Sequence, residues 1–415
     1  MTFRDWQQLS PAAAARELHH RVRSRLSTGQ QRAAIAHLRS ESELIQAFAA
    51  APRGLPLSGV PYFLKDLFPV AGQPMFAGST FLPEVRPPAT QDAALVQKLR
   101  AAGAVLVGRT QLQEFAYGIT GENPHYGDCA HPQFPQRLTG GSSSGSAAVV
   151  AAGIVPLAIG TDTGGSVRLP AAFCGLFGFR LTPRDSSIAD AFPLAPSYDT
   201  AGWFTATAGD MSAAIACLVG PSPDRREPRG CYVELPGLDD AVALACVKNA
   251  TRIAAITEDS QTAVVAALSQ SVDTYNTVVA DEAWSIHRPW AARFQERYDP
   301  AVWQRLNRVH AITEKQRVSA RQSTDAIKRM FSGYFRDHDF LILPASPFGA
   351  LTKAECTLEN RTRILTLSSL ASIGGYPVLL IPLTLPSGLT TGLQIVVSSV
   401  DSLAVGWVLE QFTAG

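Results

Sequence analysis

Hydrophobic and polar positions along this chain repeat a helix-then-strand rhythm. Residues 12–26 run without a helix breaker, Ser10 is placed to cap them and Pro11 suits a first helical position, so the opening predicts a helix. Pro52, Gly54, Pro56 and Gly59 mark a loop, and the apolar run 60–68, interrupted by Lys65, predicts a buried strand or strand end. Helical spacing returns at 92–102 through Ala94, Leu95 and Leu99, stops at Gly103, and gives way to a short buried strand at 105–107. Small residues at 147–153 predict a helix, 157–159 a strand, and 171–179 a glycine-containing element that packs closely. A polar, proline-rich connection at 221–230 leads to helices at 263–279 and 302–330, and strands at 340–343 and 378–381 close the core. With no internal repeat, this alternation predicts one large α/β domain rather than two.

Composition narrows the classes of function. The chain has 415 residues, is 46% hydrophobic and 17% charged, and balances Lys+Arg 36 against Asp+Glu 35. That excludes a disordered chain, a coiled coil and a strongly basic nucleic-acid binder. Arg16, His19, His20, Arg21, Arg23 and Arg25 crowd the first helix, and with a net charge of +1 they read as a solvated face rather than a phosphate-binding one. Cys129, Cys174, Cys217, Cys231, Cys246 and Cys356 contain no C-x-x-C pair and read as reduced thiols of a cytoplasmic protein. The opening MTFRDWQQLS lacks the basic start and apolar run of a secretory signal, and the bland stretch 147–160 holds Pro156 and is shorter than the roughly 20 residues a membrane helix needs. The expectation is a soluble chain with no membrane span.

Chemistry concentrates in two loops. GGSSSGS at 140–146 and GTDTGGS at 160–166 each set hydroxyls among glycines, a composition whose backbone N–H groups can converge on a phosphate or on the oxyanion of acyl transfer. Neither loop has the lysine of a G-x-x-x-x-G-K-[ST] phosphate loop, which weakens the first reading. Residues 141–145 formally satisfy G-x-S-x-G, with Ser143 as nucleophile. The preceding HPQFPQRLT carries two prolines where that motif needs a strand, and His287, His310 and His338 lie in polar surroundings. A serine nucleophile without histidine needs another base, and Lys65 in FLKDLF is the candidate, because burial favours the neutral amine that a base requires. Cys174, Phe115, Tyr117 and 373–376 read as packing residues.

The stretch GGSSSGSAAVVAAGIVPLAIGTDTGGSVRLPAAFCGLFGFRLTP resembles the signature of the amidase signature family. The resemblance extends through VPYFLKDLF, FAGST, QLQEFAYGITGENPHYG, SYDTAGWF, DFLILPASP, SIGGYPVLLIPL and GLQIV, and is weak from about 221 to 300. It implies a single domain over 1–415 with a mixed central β-sheet covered by helices on both faces: an N-terminal helical segment at 1–55, a signature core at 60–217, a shortened variable region at 218–335 and closing elements at 336–415. It implies a Ser-Ser-Lys triad with Ser166 as nucleophile, Ser142 as bridging serine after a cis Gly141–Ser142 bond, and Lys65 as base. Amides of Thr163, Gly164, Gly165 and Ser166 would form the oxyanion hole, with Ser143, Asp162 and Arg168 in support. The implied activity is hydrolysis of a small carboxamide without metal or organic cofactor, with no nucleic-acid partner and room for a homo-oligomer. Two alternatives stand beside it: the glutaminase subunit of an amidotransferase, and a non-catalytic assembly protein. The chain departs from the family pattern at Thr139, where a proline is usual, at 129–132, and in the compressed 218–340 segment.

Overall fold

The structure, a computed structural model, describes residues 1–220, 226–256 and 258–412. Its described strands are β1 Ile35–Leu38, β2 Pro61–Lys65, β3 Val105–Thr110, β4 Leu157–Asp162, β5 Phe177–Arg180, β6 Thr200–Thr205, β7 Gly230–Tyr232, β8 Ala255–Ile256, β9 Phe340–Pro344, β10 Val378–Thr384 and β11 Thr390–Val397. They form one mixed sheet in the order β1-β3-β2-β4-β6-β5-β10-β11-β9-β7-β8. β2 runs parallel to both β3 and β4, and β7 parallel to β8 and β9; the other pairs are antiparallel.

Every residue of β2, β3, β4, β6 and β9 is buried. With both faces covered, β2, β4 and β9 read as largely apolar runs, whereas β6, TAGWFT, does not. Tyr62, Leu64, Ile159, Ile381 and Ile395 face helices Ala94–Ala101, Ala208–Leu218, Asp240–Ala250 and Leu403–Gln411. The opposite face is covered in two parts. Helices Pro11–Arg25, Glu41–Ala50, Ser144–Ala151 and Arg168–Phe173 pack on Phe63, Ala158 and Leu380. Helices Glu258–His287, Glu314–Tyr334 and Leu358–Gly374 cover Leu341, Leu343, Val378 and Val396.

Several expectations are revised. The run 60–68 stops being strand at Lys65, whose carbonyl takes the N–H of both Leu67 (2.7 Å) and Phe68 (3.3 Å) in a turn. The element at 171–179 is the end of helix Arg168–Phe173 followed by β5. The helix expected at 302–330 is two, Pro300–Asn307 and Glu314–Tyr334, because Thr313 starts a new one: its hydroxyl accepts from Gln316 N–H (3.3 Å) while Gln316 Oε1 accepts from Thr313 N–H (2.9 Å). The 263–279 helix extends to Glu258–His287. Of the connection at 221–230, residues 221–225 lie outside the described residues. Two cations of the crowded first helix have specific work: Arg21 donates to Gly153 C=O (2.7 Å) and Arg25 to Ala152 C=O (2.9 Å), capping the C-terminal end of helix Ser144–Ala151. No described helix is long and apolar enough to cross a membrane.

Candidate active site

Because β2 and β4 are parallel neighbours, their C-terminal ends open on the same edge of the sheet, where α/β proteins assemble their sites. Lys65 is the last residue of β2, and Thr161 and Asp162 end β4. The loop 139–143 enters the N-terminus of helix Ser144–Ala151 across that edge. It is fastened by Gly141 N–H to Ile119 C=O (2.9 Å), Gln113 N–H to Ser142 C=O (3.1 Å) and Gly145 N–H to Gln111 C=O (3.2 Å). The Gly141–Ser142 peptide bond is cis.

Lys65 is fully buried, and its Nζ donates to Ser142 Oγ (2.8 Å), Ser143 Oγ (2.9 Å) and Thr161 Oγ1 (2.8 Å). Burial pushes its pKa down to about 7 against the opposing pull of Asp162 and Asp199. Ser143 is held in turn, its hydroxyl donating to Thr161 C=O (3.0 Å) and accepting from Thr161 N–H (3.2 Å). Gly160 makes room for it, since a Cβ there would lie 2.8 Å from Ser143 Oγ.

Asp162 braces the loop that follows β4. Its carboxylate accepts from the N–H of Gly165 (2.9 Å), Val167 (3.0 Å) and Arg168 (3.3 Å), from Arg168 Nε (3.1 Å) and Nη2 (2.8 Å), and from Arg180 Nη1 (2.9 Å). The two guanidinium groups hold this carboxyl well below the usual carboxylate range in spite of its burial. Arg168 reaches on to Ser368 C=O (2.6 Å), Gln394 Oε1 (2.7 Å) and Ser372 Oγ (2.8 Å), tying the loop to helix Leu358–Gly374 and β11. Thr163 is anchored separately, its hydroxyl donating to Asp199 (2.6 Å), and burial raises that carboxyl.

The backbone of this loop is held from two sides. The Gly164–Gly165 peptide is fixed at both ends, its carbonyl accepting from Ser368 Oγ (2.5 Å) and its N–H donating to Asp162. The Gly165 amide is therefore already paired with the Asp162 carboxylate. Among the described residues no acceptor takes the amides of Thr163, Gly164 or Ser166. Ser166 is 4% exposed, and its carbonyl accepts from Ser143 N–H (3.3 Å), joining the two hydroxyl-rich loops. Cys174 is buried, its thiol pKa pushed well up and its Sγ donating to Thr139 C=O (3.6 Å), as a packing residue would.

Sequence reasoning missed four contributors. Thr161 and Arg180 are strand residues whose partners only the sheet brings close, and Asp199 lies 33 positions beyond Ser166. Tyr275 comes from helix Glu258–His287 in the faint region of the sequence, and its ring stacks on Tyr198 at 5.7 Å between centroids. Its hydroxyl sits where a Cβ on Gly164 would be, 2.4 Å away. Gly164→Ala is thus expected to cost about 1–3 kcal/mol of stability by overpacking, measured by chemical denaturation, and to displace either Tyr275 or the loop.

These features agree with comparison to known proteins. The family model described as Amidase matches residues 20–289. Over 380 residues the chain is 31% identical to "Amidase 1" of Oryza sativa subsp. japonica, covering 82% of this chain and 87% of that protein. It is 41% identical over 250 residues to the indoleacetamide hydrolase of Pseudomonas savastanoi, covering 56% of this chain and 52% of that protein. A solved amidase structure superposes with a TM-score of 0.84 at 31% identity, covering 100% of this chain and 98% of the other. A family match over residues 20–289, together with a relative 31% identical over 82% of this chain, means that the chain belongs to the amidase family and hydrolyses amide carbon–nitrogen bonds.

Proposed function

We propose that this amidase works through an acyl-enzyme on Ser166, with Ser142 relaying protons to and from Lys65, on a small carboxamide in the cytoplasm. The observation that carries the reading is the fully buried Lys65 amine, with three hydroxyls at 2.8–2.9 Å and a pKa near 7. A neutral amine has two N–H donors and one lone pair. The Ser143 proton is committed to the Thr161 carbonyl, so Ser143 only accepts from Lys65, and the lone pair is left to face the Ser142 or Thr161 hydroxyl.

In this scheme Lys65 takes the Ser142 proton, Ser142 takes the Ser166 proton, and Ser166 Oγ bonds to the amide carbon. The amides of Thr163, Gly164 and Ser166 receive the oxyanion, each such donor being worth about 2.7–4 kcal/mol. Collapse breaks the C–N bond as Ser142 passes its proton to the leaving nitrogen and regains one from the Lys65 ammonium. Water then releases the acyl group by the same relay. The six cysteines, none bonded to another, suit a reducing compartment. A fluorophosphonate probe followed by peptide mass spectrometry tests the assignment: the expected adduct is on Ser166 and is lost in Lys65→Ala. An adduct on Ser143 would sink it.

A further inference from the structure

A cavity of about 800 Å3 opens on Thr161, Thr163 and Asp199 and runs between the segments that carry Arg86 and Arg184. Its acids have polar partners and, among the described residues, its two arginines have none. Each acid in its wall is already engaged: Asp92 with Arg100 and the Ala71 amide, Asp190 with the Ala94 amide (2.9 Å), and Asp199 with Thr163 and the amides of Leu194 and Ala195. The two guanidinium groups are not. Among the described residues neither Arg86 nor Arg184 makes a side-chain hydrogen bond or an ion pair. Arg86 is half-buried, its guanidinium lying 5.3 Å from the centroid of the Phe192 ring. Burial lowers its pKa. Arg184, also in the lining, is exposed and sits on a left-handed backbone (φ 65°).

A half-buried cation that has paid part of its desolvation cost, stacked on an aromatic ring and lacking an acid, is arranged to receive an anion. We propose that Arg86 binds a carboxylate on the substrate, with Arg184 adding to the attraction, so that the preferred substrates are amides carrying a second, anionic end. The proposal rests on the amide-hydrolase reading above for the reacting end of the molecule. The planar guanidinium fork matches a carboxylate, and Met75, Ile188 and Phe192 add apolar wall to the same cavity.

The experiment compares ammonia release from succinamate and glutaramate with release from the neutral butyramide and valeramide, for the wild type, Arg86→Met and Arg86→Lys. In parallel, calorimetry measures binding of the corresponding dicarboxylates, succinate and glutarate. The expected result is a wild-type preference for the carboxylated amides. In Arg86→Met the ratio of kcat/KM for carboxylated over neutral amides falls about ten-fold or more, chiefly through KM, with a parallel loss of dicarboxylate affinity. Arg86→Lys retains part of both. Turnover of the neutral amides alone, or a ratio and dicarboxylate affinity indifferent to Arg86→Met, overturns the pocket and leaves the amide chemistry standing. Dicarboxylate binding that disappears in Arg86→Met, with no ammonia from any of the four amides, keeps the pocket and removes the reading it was built on.

Discussion

Lys65→Met is expected to lower kcat/KM for amide hydrolysis by about a thousand-fold while producing a protein that gains thermal stability at pH 6 relative to the wild type. The loss follows from removing the amine that the proposed relay uses as base on Ser142, since a positioned base contributes about 10²–10⁴-fold. The gain follows from linkage. Lys65 in the fold titrates near 7 instead of 10.5, so between those values the unfolded chain holds a proton that the folded chain has released. The group's contribution therefore opposes folding most below about pH 7 and fades as pH rises toward 10.5. Methionine fills nearly the same volume without a charge to desolvate. The difference in Tm between variant and wild type should thus be largest at pH 6 and shrink by pH 9.5. A difference that does not change with pH would mean that Lys65 is not held near neutrality. In the proposed relay the same titration makes wild-type kcat/KM rise through a midpoint near pH 7, because only the deprotonated amine can accept the Ser142 proton.

How much of this could be read beforehand depended on whether chemistry was local in the chain. Lys65, Ser142, Ser166, Asp162 and Arg168 sit in short glycine-rich or apolar segments whose composition is unusual by itself, and the structure gathers the lysine, Ser142 and Ser143 within hydrogen-bonding distance. β2 and β4 were legible as apolar runs. β6 was not, because Thr200–Thr205 is buried on both faces and shows neither alternation nor a run of branched residues. β1, β7, β8 and β11 went unread as well, the first three being only two to four residues long. The pairing of the Gly165 amide could not be foreseen: the sequence shows two adjacent glycines, and only the position of Asp162 decides which N–H it takes. Tyr275 and Arg86 had no signal either, because each owes its place to packing between distant segments.

Asp162→Asn should be the most destabilising single substitution at this edge of the sheet. The carboxylate is the only acid paired with Arg168 and Arg180 among the described residues, and both arginines are buried. Burial pushes Arg180 down to about 10 even with Asp162 beside it, so the cluster already carries a desolvation cost that the carboxylate offsets. Removing one partner of a buried ion pair typically costs about 3–5 kcal/mol, and here one substitution strands two cations. The asparagine amide also turns two donors toward a site where the neighbours are donors: the N–H groups of Gly165, Val167 and Arg168 and both guanidinium groups. Chemical denaturation should report a loss of that size. The acid limb should change with it. Asp162 has its pKa lowered in the fold, so its stabilisation is complete above the ordinary carboxylate range and is lost as pH falls below about 4. The variant has no such stabilisation to lose and should show a shallower fall in Tm between pH 4 and 2. Turnover should drop by about a hundred-fold or more even where the protein is folded, because the loop that carries the proposed nucleophile Ser166 loses its anchor at Gly165 and Val167, and small misplacements of a nucleophile are costly. A variant that unfolded with wild-type energetics and kept full activity would show that the loop is held by Ser368, Thr163 and the sheet without need of the buried charge.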